Sequence, residues 1–352
     1  MKNTMGPHTS PEPASDPDAT VSSTVFDPAG LFPGDVVLER SAGKESDLIT
    51  RFDGGNYSHV LLHLGAGEFI EAIDGGSRSI SFLRLPLDEP KHWSLLRYVG
   101  AGKMSRVVAE QAALEARNLA HMPYNLWGAL TSIAPIPGRP SPALFCSELV
   151  AEAFRRAGAE IEPGLSPEKT TPRVVERSNR FVTITPLPLM SAVSPAGDRG
   201  EAYAATPMHA ESQLVQRVFA QLMERDGPWL RAAAKPFGVD PRTLFDVFSV
   251  LAAADEKIAE PIAQRCHELL SDGGYYGFLS PDRKAETLSR AAGAPDLLVN
   301  TWLDGLQRHA LNHATFRRIA ARRPWPLWKA LRDMFGANEA FFEELIATAR
   351  PS

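Results

Sequence analysis

The chain is poor in cysteine. Only Cys146 and Cys266 occur among its 352 residues. Two cysteines cannot form the disulfide framework of a small secreted protein, and such scarcity is typical of a reducing compartment. Each cysteine is therefore interpreted by itself, either as a small apolar core residue or as a reactive thiol. The residues around each one must decide between these interpretations.

The chain also lacks a long apolar stretch. No run approaches the roughly twenty apolar residues that a membrane-spanning helix needs, so we predict no transmembrane segment. Residues 1–28 contain no apolar core of the kind found in a secretory signal. This favours a cytoplasmic protein. Export by a route that needs no such signal stays open.

Positive charge is not in excess. The chain has 37 Lys and Arg residues and 42 Asp and Glu residues, which gives a net charge of -5. A nucleic-acid partner held by a basic field is therefore not expected. His309 and His313 have the spacing of two ligands on one helix face, but no Glu follows His309 as it does in helical zinc sites. We predict no metal site.

Composition divides the chain into four segments. Residues 1–28 are rich in Pro, Ser, Thr and Asp and are expected to be disordered, because they bury too little apolar surface to offset chain entropy. Residues 189–207 are predicted to be a linker, because they are rich in Pro and have little periodicity. The segments 29–188 and 208–352 have the apolar patterns of folded domains.

The two predicted domains belong to different structural classes. In residues 29–188, short apolar runs separated by turn residues predict strands. Two longer periodic stretches, 104–121 and 144–157, predict helices in the same domain. From residue 208 onward the pattern is almost purely helical. The predicted fold class is therefore α+β, followed by an all-α domain of unknown role.

A hairpin is predicted where Gly65-Ala66-Gly67 separates the apolar runs 57–64 and 68–73. With a three-residue loop, Leu61 pairs with Glu71, and His59 and Glu71 become diagonal neighbours on one face. With a two-residue loop they would lie on opposite faces. His63 has the same parity as His59 but lies about 13 Å further along the strand, too far to serve the same centre.

Cys146 lies near the start of the predicted helix 144–157. A helix N-terminus carries partial positive charge and presents backbone N–H groups, which favour a thiolate and can hold an oxyanion. A nucleophile of this kind needs a base, and His59 is the best candidate. Glu71 could accept the second imidazole N–H and fix the tautomer. The alternative for Cys146 is a packed core residue, and for Glu71 a solvated strand charge.

Four short motifs in a fixed order carry a resemblance to a known family. They are Gly34-Asp35-Val36-Val37, Tyr57-Ser58-His59-Val60, Phe69-Ile70-Glu71-Ala72 and Phe145-Cys146-Ser147-Glu148-Leu149-Val150. Their order resembles that of the circularly permuted papain-like hydrolases of the NlpC superfamily, the YiiX/YaeF type. The resemblance covers residues 32–188 and implies an antiparallel sheet or partial barrel with a Cys-bearing helix.

The resemblance implies a set of site residues. Cys146 corresponds to the nucleophile, His59 to the base and Glu71 to the third polar residue. The spacing of the last two is also similar to that in the lecithin:retinol acyltransferase branch, where the third residue is another His. Four further residues are expected near substrate: Tyr57, Ser58, Tyr124 and Asn125. Relatives often have Tyr-Asp where this chain has Tyr124-Asn125. Asp35 is expected to support the first strand.

The expected activity is hydrolysis of an amide bond through a thioester on Cys146, with no metal or organic cofactor. The substrate would be a peptide or a protein side chain. One alternative is a lipid acyltransferase or thioesterase that uses the same residues on a lipid acyl group. Another is a catalytically silent adaptor that binds a protein partner through its helical half.

Overall fold

Within the segment predicted to be α+β, strands form where short apolar runs alternate with turn residues. The computed structural model describes residues 20–40, 44–73, 76–87, 89–123, 145–195, 207–238, 240–277, 284–285, 287–288 and 296–350. Its strands are β1 (Thr20–Phe26), β2 (Val36–Glu39), β3 (His59–Gly65), β4 (Glu68–Ile73), β5 (Gly76–Ser81), β6 (Trp93–Tyr98), β7 (Phe181–Thr183) and β8 (Leu189–Pro195). Six of them form an antiparallel sheet in the order β5-β4-β3-β2-β6-β7.

The helices follow the predicted division between a mixed first half and a helical second half. In the first half they are α1 (Lys44–Asp53), α2 (Ser105–Asn118), α3 (Cys146–Arg156) and α4 (Pro172–Arg177). In the second half they are α5 (Pro207–Ala234), α6 (Leu244–Ala253), α7 (Glu256–Asp272), α8 (Asp296–Arg322) and α9 (Pro326–Ala349). The described residues therefore form an α+β fold with an antiparallel sheet and a C-terminal helical region. None of these helices is long and apolar enough to cross a membrane.

The six-stranded sheet is covered on both faces. One face packs against α2 and α3, where Val36, Leu38 and Leu62 meet the small residues of α2 and the apolar side of α3. The other face packs against β1 and β8, and Val37 and Leu61 point to that side. Burial on both faces explains why these strands are continuously apolar in sequence.

Two of the predicted segment boundaries are wrong. Residues 20–26 fall in the segment expected to be disordered, and residues 189–195 fall in the expected linker. They form the strands β1 and β8, which pair antiparallel from Thr20–Pro195 to Phe26–Leu189. The average composition of residues 1–28 is polar, and it therefore gave no weight to the apolar Val25 and Phe26, which are both fully buried. Residues 1–19 and 196–206 lie outside the described residues.

Asp35 has the supporting role expected of it. Its buried carboxylate accepts hydrogen bonds from the backbone N–H of Phe32 at 2.8 Å and from Arg97 at 2.9 and 2.7 Å. Arg97 lies on β6 and also stacks on the ring of Phe32. A buried carboxylate with three donors is satisfied, so it fixes the turn ahead of β2 against the neighbouring strand.

The helical half has its own core and also contacts the first half. Trp328 is fully buried at the centre of that core and lies 6.0 Å from the rings of both Phe248 and Phe316. On the surface that meets the sheet, Thr301 donates a hydrogen bond to the carbonyl of Ala66 at 2.9 Å. The two halves therefore pack against each other through specific polar contacts.

The pairing of β1 with β8 makes a prediction about stability. Phe26 is fully buried, with its ring 6.0 Å from those of Phe69 and Trp93. The substitution Phe26→Ala should lower the free energy of unfolding by about 3–5 kcal/mol, because it removes a buried ring and leaves a cavity. Chemical denaturation measures the change. Val193→Ala on β8, where the side chain is 64% exposed, is the control and should change stability by less than about 0.5 kcal/mol. Equal effects of the two would contradict the structure.

Candidate active site

Cys146 is the first residue of α3. Phe145 before it is extended, and the first helical hydrogen bond runs from the N–H of Leu149 to the carbonyl of Phe145 at 2.9 Å. The backbone N–H groups of residues 146–148 therefore have no acceptor within the helix. The sequence placed the helix start near residue 144, and the observed start lies closer to the sulfur. The positive end of the helix dipole lies at Cys146.

His59 lies between Cys146 and Glu71. It is the first residue of β3, and its Nε2 lies 3.0 Å from Oε2 of Glu71. Cys146 acts on the same imidazole and is the strongest of the groups that raise the pKa of His59. Because Nε2 faces Glu71, the other ring nitrogen, Nδ1, is the one left for the sulfur. The structure thus brings together the three residues that the sequence predicted as a catalytic set.

The hairpin between β3 and β4 aligns His59 with Glu71 in a way that the sequence anticipated only in part. The pairs Leu62–Ile70 and His63–Phe69 have the predicted register. At the tip, Gly65 pairs with Glu68 across a two-residue turn with positive φ at Ala66. An irregularity between His63 and Gly65 adds the extra residue that restores the register. A two-residue turn with a bulge therefore has the effect of the predicted three-residue loop.

Arg78 is a site residue that the sequence interpretation missed. It lies on β5 directly opposite Glu71, and its Nε and Nη2 lie 2.9 and 2.7 Å from Oε1 of Glu71. Glu71 is fully buried and Arg78 is 2% exposed. The sequence does carry a signal for this pairing. The dipeptide Asp-Gly at 74–75 is, as a sequence, typical of two-residue hairpin turns, and counting outward from it predicts that residues 71 and 78 lie opposite each other.

The charge state of His59 follows from these neighbours. Burial by itself lowers the pKa of the imidazole. The negative charge of Cys146, hydrogen bonds to Cys146 and Glu71, and the charge of Glu71 act in the opposite direction. Together they raise the pKa of His59 to about 10. The imidazole of His59 is therefore protonated at neutral pH. An imidazolium beside a cysteine is the kind of surrounding that activates a thiol as a nucleophile.

The residues predicted to contact substrate have different surroundings. Tyr57 is partly buried against the core that contains Cys146. Ser58 is buried, and its hydroxyl bonds to Ser46 at 2.6 Å and faces the carbonyl of Glu39 at 3.5 Å. These bonds give Ser58 a structural contact, and its place beside substrate stays a prediction. Tyr124 and Asn125 lie outside the described residues.

The other histidines singled out in the sequence lie elsewhere. The ring of His63 bonds to the carbonyl of Phe32 at 2.9 Å and accepts from the N–H of Gly67 at 3.3 Å, so it fixes the hairpin tip. His313 pairs with Glu339 at 2.6 Å, while His309 stacks on Phe342. Within the described ranges, no three His, Cys, Asp or Glu residues are grouped so that they could hold a metal ion.

The candidate site consists of a cysteine, a histidine and a glutamate on an α+β fold. No family model matches the chain, and no curated protein matches it. Among solved structures, the chain is similar to the metalloprotein YiiX from Escherichia coli O157:H7, DUF1105. The two share 16% sequence identity with a TM-score of 0.32, over 44% of this chain and 96% of YiiX.

The two cysteines should differ sharply in reactivity. Cys146 lies at a helix N-terminus beside His59, whereas Cys266 is fully enclosed in the helical core. Burial raises the pKa of the Cys266 thiol. Iodoacetamide at neutral pH should therefore alkylate Cys146 and leave Cys266 unmodified. Peptide mapping by mass spectrometry measures both sites in the native protein. Alkylation of Cys266 at the same rate would contradict the assignment.

The protonation of His59 should depend on Cys146. Because the pKa of His59 is raised to about 10, its ring should stay protonated through neutral pH. Cys146→Ala removes the largest raising influence and should lower this pKa strongly, while Cys146→Ser keeps a hydrogen-bonding group and should lower it less. NMR titration of isotope-labelled histidine, assigned with His59→Gln, measures the shift. Identical titrations in all three proteins would show that residues 59 and 146 do not interact.

Proposed function

We propose that the chain is a cysteine-dependent hydrolase of the circularly permuted papain-like type. One arrangement carries this proposal. Cys146, the first residue of α3, acts on the imidazole of His59, and Glu71 binds Nε2 of that imidazole. Nucleophile, base and orienting carboxylate in this order are the parts of a catalytic triad. The scarcity of cysteine is consistent with action in a reducing compartment.

The reaction would begin with the thiolate of Cys146 attacking the carbonyl carbon of the substrate. The carbon–sulfur bond forms, and the carbonyl electron pair moves onto oxygen. The imidazolium of His59 then gives its proton to the leaving amine as the carbon–nitrogen bond breaks. This leaves a thioester on the sulfur and a neutral imidazole at His59.

Hydrolysis of the thioester would reverse these roles. Neutral His59 takes a proton from water as the water oxygen attacks the thioester carbon. The carbon–sulfur bond then breaks, so the acid product leaves and the thiolate–imidazolium pair is restored. Glu71 stays ionised throughout, because Arg78 holds its second oxygen, and it therefore stabilises each imidazolium that forms.

The start of α3 supplies a site for the oxyanion. The N–H groups of the first turn have no acceptor within the helix. They point out of its N-terminal end, where Cys146 lies. The negative oxygen of a tetrahedral intermediate on Cys146 would be stabilised by these donors and by the helix dipole. An amide in a peptide or a protein side chain is the proposed substrate bond, because the site pairs a strong nucleophile with an acid for an amine leaving group.

Acylation by a small activated ester tests the chemistry before the natural substrate is known. With p-nitrophenyl acetate, intact-mass spectrometry should detect one acetyl group on the protein, and hydroxylamine should remove it. Cys146→Ala should abolish the adduct. His59→Gln should slow its formation by about a hundredfold or more, because the base is lost. Cys266→Ala is the matched control and should acylate like the unmodified chain.

The same variants then report on the scissile bond. A panel of peptide amides and lysine isopeptides, assayed for released amine, should contain a substrate that depends on both Cys146 and His59. An acetyl adduct that persists in Cys146→Ala, or that fails to form in the unmodified chain, would refute the proposal.

A further inference from the structure

The helical half docks directly on the helix that carries Cys146. Arg242, next to the start of α6, places its Nη2 2.9 Å from Oε1 of Glu148 on α3. One turn further along, Asp246 of α6 accepts two hydrogen bonds from Arg156 of α3 at 2.9 and 3.1 Å. Charged pairs that are largely withdrawn from solvent, with several hydrogen bonds each, fix two elements in register. The position of α3 therefore depends on both halves of the chain.

Glu148 couples this contact to the start of α3. It is the third residue of the helix and 2% exposed, and the backbone of Phe145 is among the groups that favour its ionised form. A carboxylate at this position faces the open N–H groups of the first turn, on which Cys146 lies. Burial raises the pKa of Glu148 to about 7, and Arg242 opposes that rise. Arg242 thus helps to keep the carboxylate ionised beside the first turn of α3.

Arg242 itself is held rigidly. Its backbone N–H donates to Oδ2 of Asp246 at 2.9 Å, and the N–H of Thr243 donates to the same oxygen at 2.9 Å. Thr243 and Asp246 form a complete capping box at the start of α6. The guanidinium therefore projects from an ordered helix cap rather than from a loose loop, which is what precise placement of a second group requires.

We propose that Arg242 is a positioning residue for Cys146, acting through Glu148 from the helical half. This inference rests on the proposed role of Cys146 as the nucleophile. It gives the second half of the chain a function within the same site. The helical half completes the support beneath the first turn of α3, and a movement of α6 would change the contact between Cys146 and His59.

Other charges near Glu148 do not replace Arg242. Glu168, in the turn before α4, adds a negative charge and raises the pKa of Glu148 further. Glu152, one turn along α3, is already bound by Arg155 and Arg156 at 2.7 to 2.9 Å. Within the described part of the chain, Arg242 supplies the positive charge that offsets the burial of Glu148. Its removal should therefore leave a buried carboxylate that takes up a proton or draws in water.

Alkylation of the full-length protein by iodoacetamide at pH 7, measured at Cys146, tests the proposal. Arg242→Ala should slow alkylation by about tenfold, because small misplacements of reacting groups have large effects on rate. The same variant should lower the pKa of His59 in an NMR titration, because the contact with Cys146 is weakened. A purely structural role would lower the melting temperature and leave that titration unchanged.

Matched variants isolate the path through Glu148. Glu148→Gln needs no counter-charge, so adding Arg242→Ala to it should have little further effect on the alkylation rate. Arg242→Lys keeps the charge and should restore most of the rate. Arg265→Ala, which removes a similarly exposed arginine paired with Asp226 at 2.6 Å inside the helical half, should leave the rate unchanged. Arg242→Gln gives the same comparison if the alanine variant does not fold.

The outcomes separate this inference from the proposed function. A Cys146 that alkylates rapidly in the unmodified chain and equally rapidly in Arg242→Ala would overturn the positioning role alone. Equal effects of Arg242→Ala with and without Glu148→Gln would also overturn it. A Cys146 that is inert in the unmodified chain would overturn the proposed function and the positioning role with it.

Discussion

A carboxylate with no access to water organises the candidate site. Glu71 is fully buried, and an isolated charge in that position would be protonated. It is kept ionised by Arg78 on one oxygen and by His59 on the other. This requirement fixes three neighbouring strands, because β3, β4 and β5 each contribute one of the three residues. Breaking such a buried pair by removing one partner typically costs about 3–5 kcal/mol. The same contacts that hold the sheet together therefore hold the imidazole in place for the sulfur.

Helix α3, which carries Cys146, also contains buried carboxylates that are paired with arginines. Glu148 and Glu152 are both 2% exposed, and arginines from α3 itself and from the helical half surround them. Helix α3 thus lies between two sets of buried charges, one in the sheet and one in the second half of the chain. A shift of α3 relative to the helical half would separate Glu148 from Arg242 and leave a buried carboxylate unpaired. Cys146 is placed by these electrostatic constraints as much as by the apolar contacts of Leu149 and Phe154.

The sequence predicted what depends on local pattern. The strand of His59, the strand of Glu71 and the helix of Cys146 each follow from short-range periodicity and turn residues. The hairpin register was predicted correctly, but a bulge beside a two-residue turn produces it, and nothing in the sequence indicated that bulge. Contacts between distant segments were missed. Nothing local in residues 20–26 indicates a partner at residues 189–195, and nothing in the second half indicates that Arg242 would meet Glu148. The pairing of Arg78 with Glu71 is a partial exception, because the local dipeptide Asp-Gly at 74–75 indicates it in the sequence. The α+β class was predicted correctly, and the papain-like assignment stays part of the proposal.

The ribbon of β1 and β8 has one further consequence. Because Thr20 pairs with Pro195, the chain enters the first half and leaves it at adjacent points. A unit whose two ends meet is connected to the rest of its polypeptide at one place on its surface. The ends also emerge on the ribbon, away from the face of the sheet that packs against α2 and α3. Contacts such as that of Arg242 with Glu148, and not the chain connection, therefore hold the helical half against α3.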